Sequence, residues 1–323
     1  MTVLLINPSN GVALKRVKDS LTDGLGNEFP IVDEIPRIAK LDNYSESFGF
    51  QWNRFIKTQL DRSVAVYEAS ASRFFSETKW LPKDLDSDCI LEVGSGAGRF
   101  SRVILTHTKA MLYSVDYSNA VTANFANNGT IAPARFQLLQ ASVYELPFPD
   151  SAFDKVFCFG VLQHVPHFER AVKALITKVK PGGEVVVDFY PIKGWWTKAS
   201  AKYFFRPFLK KMSHERLLKV IESNIDWLIN LYLVLYKYRL GRLTRFLPIC
   251  SINGSFPKNL SAEQLREWAI LDTFDMFSPE HDHPQKIQDV AAMFERHGAQ
   301  VTFSGFEKLD SGGDAAVVRG IRR

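Results

Sequence analysis

Between Cys89 and Asp188, short apolar runs alternate with amphipathic stretches, and no other feature narrows the fold of this 323-residue chain so far. Cys89-Ile-Leu-Glu-Val93 reads as a first strand and Arg99 to about His107 as a helix. Met111–Val115 is a second strand, with a helical stretch from Ser118, and Arg135–Leu139 is a third. Phe153–Phe159 is a fourth, followed by a helix from about His167 to Val179. Lys180-Pro-Gly-Gly183 reads as a turn and Glu184–Asp188 as a fifth strand. Strands that are apolar on both faces, separated by helices, build a mainly parallel, doubly wound sheet. The alternation stops for about ninety residues and resumes at Pro284 with a helix (Ile287, Val290, Ala291, Phe294) and the strands Gln300–Phe306 and Ala315–Ile321.

The predicted organisation is therefore α/β, with a seven-stranded sheet and a mostly helical cap inserted after strand five. Residues 44–191 and 284–323 form one discontinuous domain, 192–283 the cap, and 1–43 a leader of short strands and turns. A helical run is expected from Phe50 to about Trp80, on the spacing of Phe55, Leu60, Val64, Val66, Tyr67, Phe74 and Phe75, ended by Pro82. Three distant cysteines (Cys89, Cys158, Cys250) and an N-terminus without a basic lead-in point to a cytoplasmic protein without a disulfide framework or zinc ribbon.

Net charge is only +5, too mild to announce nucleic-acid binding. The charge is uneven, however. From Ile192 to Cys250 twelve Lys and Arg face only Glu215, Glu222 and Asp226, a net +9 that leaves −4 for the rest of the chain. The same stretch carries eleven aromatics. Ser223 is a candidate cap for a helix apolar on nearly every face, through Ile225, Leu228, Ile229, Leu231, Tyr232, Leu233 and Leu235. Three readings fit: a lid over an acceptor site, an interfacial element on an anionic membrane with the protein peripheral to its inner face, or a basic surface steering an anionic acceptor.

Glu92-Val-Gly94-Ser95-Gly96-Ala-Gly98 follows the first strand and opens a helix, the position where doubly wound sheets bind ligands. A dinucleotide fingerprint would need its third glycine at 99, which is Arg99. Asp116 ends the second strand, placed for the hydroxyls of a ribose, and Glu92 puts a negative charge near the ligand that suits a cation better than a pyrophosphate.

These residues resemble the class I S-adenosylmethionine-dependent methyltransferases, with their Rossmann-like fold, strongly over 86–191 and by topology over 284–323. The resemblance implies S-adenosyl-L-methionine as cofactor. It places the methionine part on Glu92, Gly94, Ser95, Gly96 and Gly98, and the ribose on Asp116 beside Tyr117. Where the family usually has an adenine-binding Asp this chain has Ser142, so the adenine falls to Ser142 or the backbone of Val143. Phe159-Gly-Val-Leu-Gln-His164 matches the segment passing beneath the reacting methyl. A second phrase, Phe29–Arg37 with Tyr44 and Ser47–Phe55, and Leu271–Asp275 with Ser278-Pro279 and Asp282–Pro284, resembles a bacterial methyltransferase group often found with glycan or secondary-metabolite genes. Many of its members carry a cysteine-rich zinc ribbon; this leader has no cysteine, and no metal is expected.

Aromatic faces stabilise a sulfonium, and Trp52, with Phe48 and Tyr44, is a candidate lid. His164 is the candidate base for a hydroxyl acceptor, since the ordinary imidazole pKa of about 6.5 suits that work. His281, His283 and Asp275 are further acceptor-site candidates. The expected activity is O-methylation of a small-molecule or glycan-like acceptor, anionic or lipid-linked. The alternatives are C- or N-methylation of a lipophilic molecule at a membrane surface, and a cofactor-binding protein without turnover. Nucleic-acid amino methylation is disfavoured because Phe159–His164 lacks the Asn/Asp-Pro-Pro-aromatic run.

Overall fold

The computed structural model describes residues 3–39, 44–60, 69–253, 256–257 and 260–323. Its centre is a seven-stranded sheet. Strands β5 (Cys89–Val93), β6 (Met111–Asp116), β7 (Phe136–Gln140), β8 (Phe153–Cys158) and β9 (Val179–Phe189) are followed by β10 (Ala299–Lys308) and β11 (Asp314–Arg322). The spatial order is β10-β11-β9-β8-β5-β6-β7. Neighbours from β7 across to β9 pair in parallel, and β11 runs antiparallel between β9 and β10. All five side chains of β5 are buried, as a central strand covered on both faces requires. The helices α3 (Arg99–His107), α4 (Val121–Asn128), α5 (Phe168–Lys178) and α9 (Ile287–Arg296) supply that cover.

The Rossmann-like seven-stranded architecture is thus as expected, as are the short strands of the leader, with local differences elsewhere. Lys180–Gly183 is not a turn between elements: β9 runs through it. Gly182 sits at φ +79°, a Cβ on Gly183 would fall 2.5 Å from the Asp154 carbonyl, and the β8–β9 register shifts there. The glycines absorb a bulge within the strand. The predicted helical run from Phe50 is instead α1 (Glu46–Arg54) and α2 (Ala69–Thr78), with turns over 55–60; Val64, Val66 and Tyr67 lie outside the described residues. The leader forms a four-stranded antiparallel sheet, β1 (Lys15–Val17), β2 (Ser20–Thr22), β3 (Glu28–Val32) and β4 (Ile35–Pro36). It is tied to the edge of the large sheet by buried Arg37, which donates to Asn119 Oδ1 (3.0 Å), Gln140 Oε1 (3.1 Å) and Thr122 Oγ1 (3.1 Å).

Between β9 and α9 lie α6 (Ala201–Leu209), α7 (His214–Lys237) and α8 (Ala262–Phe277). Leu217, Ile221, Ile225 and Leu228 of α7 pack with Ala269, Leu271 and Phe274 of α8 and with Phe55, forming a core apart from the sheet. Ser223 does not cap a helix. It lies inside α7, where its hydroxyl donates back to the Lys219 carbonyl (2.7 Å), and the N-cap position is Ser213. α8 starts on a capping box, Ser261 with Gln264. Among the described residues no helix is long and apolar enough to cross a membrane.

Candidate active site

A cavity of about 740 Å³ opens at the carboxyl ends of β5, β6, β8 and β9 and is roofed by α1 and α8. That size lies within the ~300–1,000 Å³ of small-molecule sites. The glycine loop forms one wall. Gly94 and Gly96 take φ of +84° and +51°, and their amide nitrogens donate to the Val115 carbonyl (2.7 Å) and to Asp116 Oδ2 (2.8 Å). A Cβ at Gly94 would fall 2.0 Å from Val161 Cγ2, and one at Gly96 would meet Trp52 Nε1 at 3.0 Å. The missing side chains therefore leave room that the walls would otherwise close.

Asp116 also accepts from the amide and hydroxyl of Ser118 (2.8 and 2.6 Å), and burial pushes its carboxyl up from the ordinary range. Ser95, Tyr117, Val143, Phe159 and Trp52 line the same cavity, with Tyr44 and Phe48. Tyr44 packs against Tyr117, ring centroids 5.1 Å apart. Ser142 does not line it: its Oγ accepts from the Tyr144 amide (3.2 Å), while Ala141 and Val143 form the wall.

Glu92 and Gly98 are also set back from the cavity wall. The Glu92 carboxylate lies under the loop, fully buried, accepting from the hydroxyls of Ser101 and of Ser114 (2.6 Å). Asn124 Nδ2 donates in turn to Ser101 Oγ (3.0 Å). Burial pushes Glu92 up to about 7, against the pull of the two hydroxyls. Its place beneath the loop fits a role in holding the backbone rather than presenting a charge. Gly98, at φ +85°, lets α4 approach, since a Cβ would lie 2.1 Å from Asn128 Nδ2. Ser101, Ser114, Asn124 and Asn128 carry this support, and no local pattern in the sequence marks them.

The opposite wall is polar. His164 is buried on the cavity wall with its ring against Phe48 and Tyr190, centroids 5.1 and 5.6 Å away. Its Nδ1 lies 3.1 Å from the His281 carbonyl oxygen, which can only accept, so Nδ1 carries the proton. Nε2 is then a free lone pair, and among the described residues it has no hydrogen-bond partner. Burial lowers the imidazole pKa, keeping it neutral. Gln163 next to it is fully buried, neither side-chain polar atom has a partner among the described residues, and it too lines the cavity.

From α8, Asp272 and Asp275 line the cavity. Asp272 accepts from Gln59 Nε2 (3.2 Å) and is pushed up to about 7 by burial and by Asp275. Asp275 accepts from Tyr190 Oη (3.3 Å) and Gln51 Nε2 (3.5 Å). His281 and His283 do not line the cavity; their rings stack on one another, centroids 5.6 Å apart, and His283 is exposed. What His281 contributes is its carbonyl, which orients His164. Gln51, Gln163 and Tyr190 were not singled out from the sequence. They come from three distant segments, and only the fold brings them together.

Residues 91–187 match the family described as "Methyltransferase domain". This segment is a class I methyltransferase domain. S-adenosyl-L-methionine is the cofactor of such a domain, and the glycine cradle, Asp116 and the aromatic roof of Tyr44, Phe48 and Trp52 fit it. Over 113 residues the chain is 32% identical to a tRNA U34 carboxymethyltransferase of Nautilia profundicola, covering 34% of this chain and 37% of that protein. Over 104 residues it is 30% identical to the ubiquinone/menaquinone biosynthesis C-methyltransferase UbiE of Vibrio parahaemolyticus, covering 30% of this chain and 39% of that protein. The chain thus spans well under half the length of these two relatives. The magnesium protoporphyrin IX methyltransferase of Synechocystis superposes with a TM-score of 0.46 at 15% identity, over 87% of this chain and 97% of that one.

Proposed function

We propose that the chain methylates a hydroxyl of a small-molecule or glycan-like acceptor. The observation that carries this is His164: in the cavity it shares with the glycine cradle, its Nδ1 is tied to a carbonyl and its Nε2 is left as a base with no partner among the described residues. S-adenosylmethionine supplies, when bound, a methyl carbon made electrophilic by its sulfonium. The protein's part is to orient the acceptor and take its proton. His164 Nε2 removes the hydroxyl proton, and lowering of its pKa keeps it able to do so at neutral pH. Gln163, Asp272, Asp275 and Tyr190 offer donors and acceptors to a polyhydroxylated molecule. Two acids in an enclosed wall disfavour a nucleic-acid backbone there. The segment 192–283, through α8, is the part that selects the acceptor.

Tritiated S-adenosylmethionine offered with nucleotide-linked and lipid-linked sugars tests the reading. Label is expected in an alkali-stable methyl ether, formed by the wild type and not by His164→Gln. Undiminished turnover in that variant would remove the base from the account, and label on carbon or nitrogen would replace the hydroxyl.

The outer face of α7 adds a partner. Val220, Trp227, Leu231, Val234 and Tyr238 recur at spacings of seven, four, three and four, and are all exposed. They form a second apolar stripe beside the buried one. Phe204 and Phe208 of α6 are exposed as well (69% and 71%), and exposed apolar side chains on a segment this rich in Lys and Arg suit peripheral contact with an anionic membrane. A second copy would bring a net +9 against +9.

A further inference from the structure

A second groove of about 550 Å³ lies beside the main cavity, walled by Pro191, Lys193, Trp196, Ser200, Arg242 and Arg245 among others. Pro191 and Lys193 line both spaces, so the two are adjacent. The junction is held by backbone: the Ile192 amide donates to the Gln285 carbonyl (2.7 Å), and the Gln285 amide donates to the Tyr190 carbonyl (3.0 Å). Tyr190 itself faces the acceptor side of the cavity. A molecule extending from Tyr190 past Pro191 and Lys193 would reach the groove.

Three cations border the groove. Among the described residues, no carboxylate pairs with Lys193, Arg242 or Arg245. Lys193 Nζ lies over the Phe306 ring (5.3 Å), and Arg245 donates to the Trp196 carbonyl and lies over Phe246 (5.7 Å). Other cations of the same segment or close to it do pair with carboxylates, as Lys202 does with Asp282 (2.8 Å) and Arg266 with Asp226 (2.9 Å). Uncompensated guanidinium groups over an apolar floor are the chemistry of phosphate recognition, because the planar fork matches phosphate oxygens. The floor includes Trp196, 45% exposed, a surface against which a nucleobase or an isoprenoid chain can lie.

We propose that this groove binds a diphosphate carried by the acceptor, so that the acceptor's sugar-like end enters the main cavity while its phosphates sit between Lys193, Arg242 and Arg245. The assignment rests on the methyltransferase reading for what lies in the cavity, but the groove can be tested alone. The carrier is either a nucleoside or a lipid; both present the same diphosphate.

The experiment is calorimetric titration of the full chain with inorganic pyrophosphate, uridine diphosphate and farnesyl diphosphate, and separately with S-adenosylhomocysteine. Pyrophosphate is expected to bind saturably and more weakly at high salt, as exposed charges require. Combining Arg242→Ala with Arg245→Ala should weaken it at least tenfold, and Arg242→Lys alone by less. S-adenosylhomocysteine should bind all variants equally, showing that they are folded. Uridine diphosphate tighter than pyrophosphate names a nucleoside carrier, and farnesyl diphosphate tighter names a lipid. Absent pyrophosphate binding, equal binding by the double variant, or both esters binding more weakly than pyrophosphate would overturn the proposal. Loss of S-adenosylhomocysteine binding in the wild type would instead overturn the methyltransferase reading and leave the groove to be judged by pyrophosphate.

Discussion

In the proposed function, Gly96, His164 and Glu92 divide the site's work between shape, proton transfer and support. Gly96 is at positive φ with its missing side chain against Trp52. Gly96→Asp should lower S-adenosylhomocysteine affinity at least about tenfold, or about 1.4 kcal/mol; calorimetry showing unchanged affinity would contradict the cradle. His164→Gln should lower kcat by about a hundredfold or more, the scale of general base catalysis, with cofactor affinity preserved. In the wild type, kcat/KM should rise with pH through a limb lying below the ordinary histidine value and stay level above it; the variant should lack the limb. Glu92 gives a stability prediction. Its folded pKa of about 7 lies above the ordinary 4.5. Between those values the folded state holds a proton that the unfolded chain has released, so stability falls as pH rises through the window, on the order of 3 kcal/mol. Glu92→Gln has no proton to lose, so urea unfolding should show its stability relative to wild type growing from pH 5 to pH 8. A constant difference would contradict the buried, protonated assignment.

At the scale of elements, α7 carries the clearest consequences. Ile225 is fully buried between α7 and α8, and Ile225→Ala should cost about 2–5 kcal/mol of stability in denaturant unfolding. The outer stripe predicts flotation with phosphatidylglycerol vesicles at low salt, lost at high salt and in a variant combining Trp227→Ser, Leu231→Ser and Tyr238→Ser. Protein left at the bottom with anionic vesicles would rule the contact out. The elements were legible where periodicity decides. β5, β6 and α3 follow from uninterrupted apolar or amphipathic runs, and α3 begins at Arg99 as its sequence suggests. Legibility failed where local residues serve a neighbour: Gly182 and Gly183 read as a turn but ease β9 past Asp154, and Ser223 reads as a cap but bonds back within a longer helix.

Over the whole molecule, the same distinction separates the two walls of the cavity. The cradle is one contiguous segment plus the end of the next strand, so Gly94, Gly96 and Asp116 could be read in sequence. The acceptor wall joins Gln51, Gln163, Tyr190 and Asp275 from four places along the chain, and His164 owes its tautomer to a carbonyl 117 residues away. The proposed cofactor half is thus encoded locally and the proposed acceptor half by topology. The central claim is that this cavity holds S-adenosylmethionine, and calorimetric titration of the full chain with S-adenosylhomocysteine tests it most directly. The account predicts saturable one-to-one binding, weakened at least about tenfold by Gly96→Asp and absent when NAD is titrated instead. No heat with S-adenosylhomocysteine, or binding that survives Gly96→Asp unchanged, would contradict it.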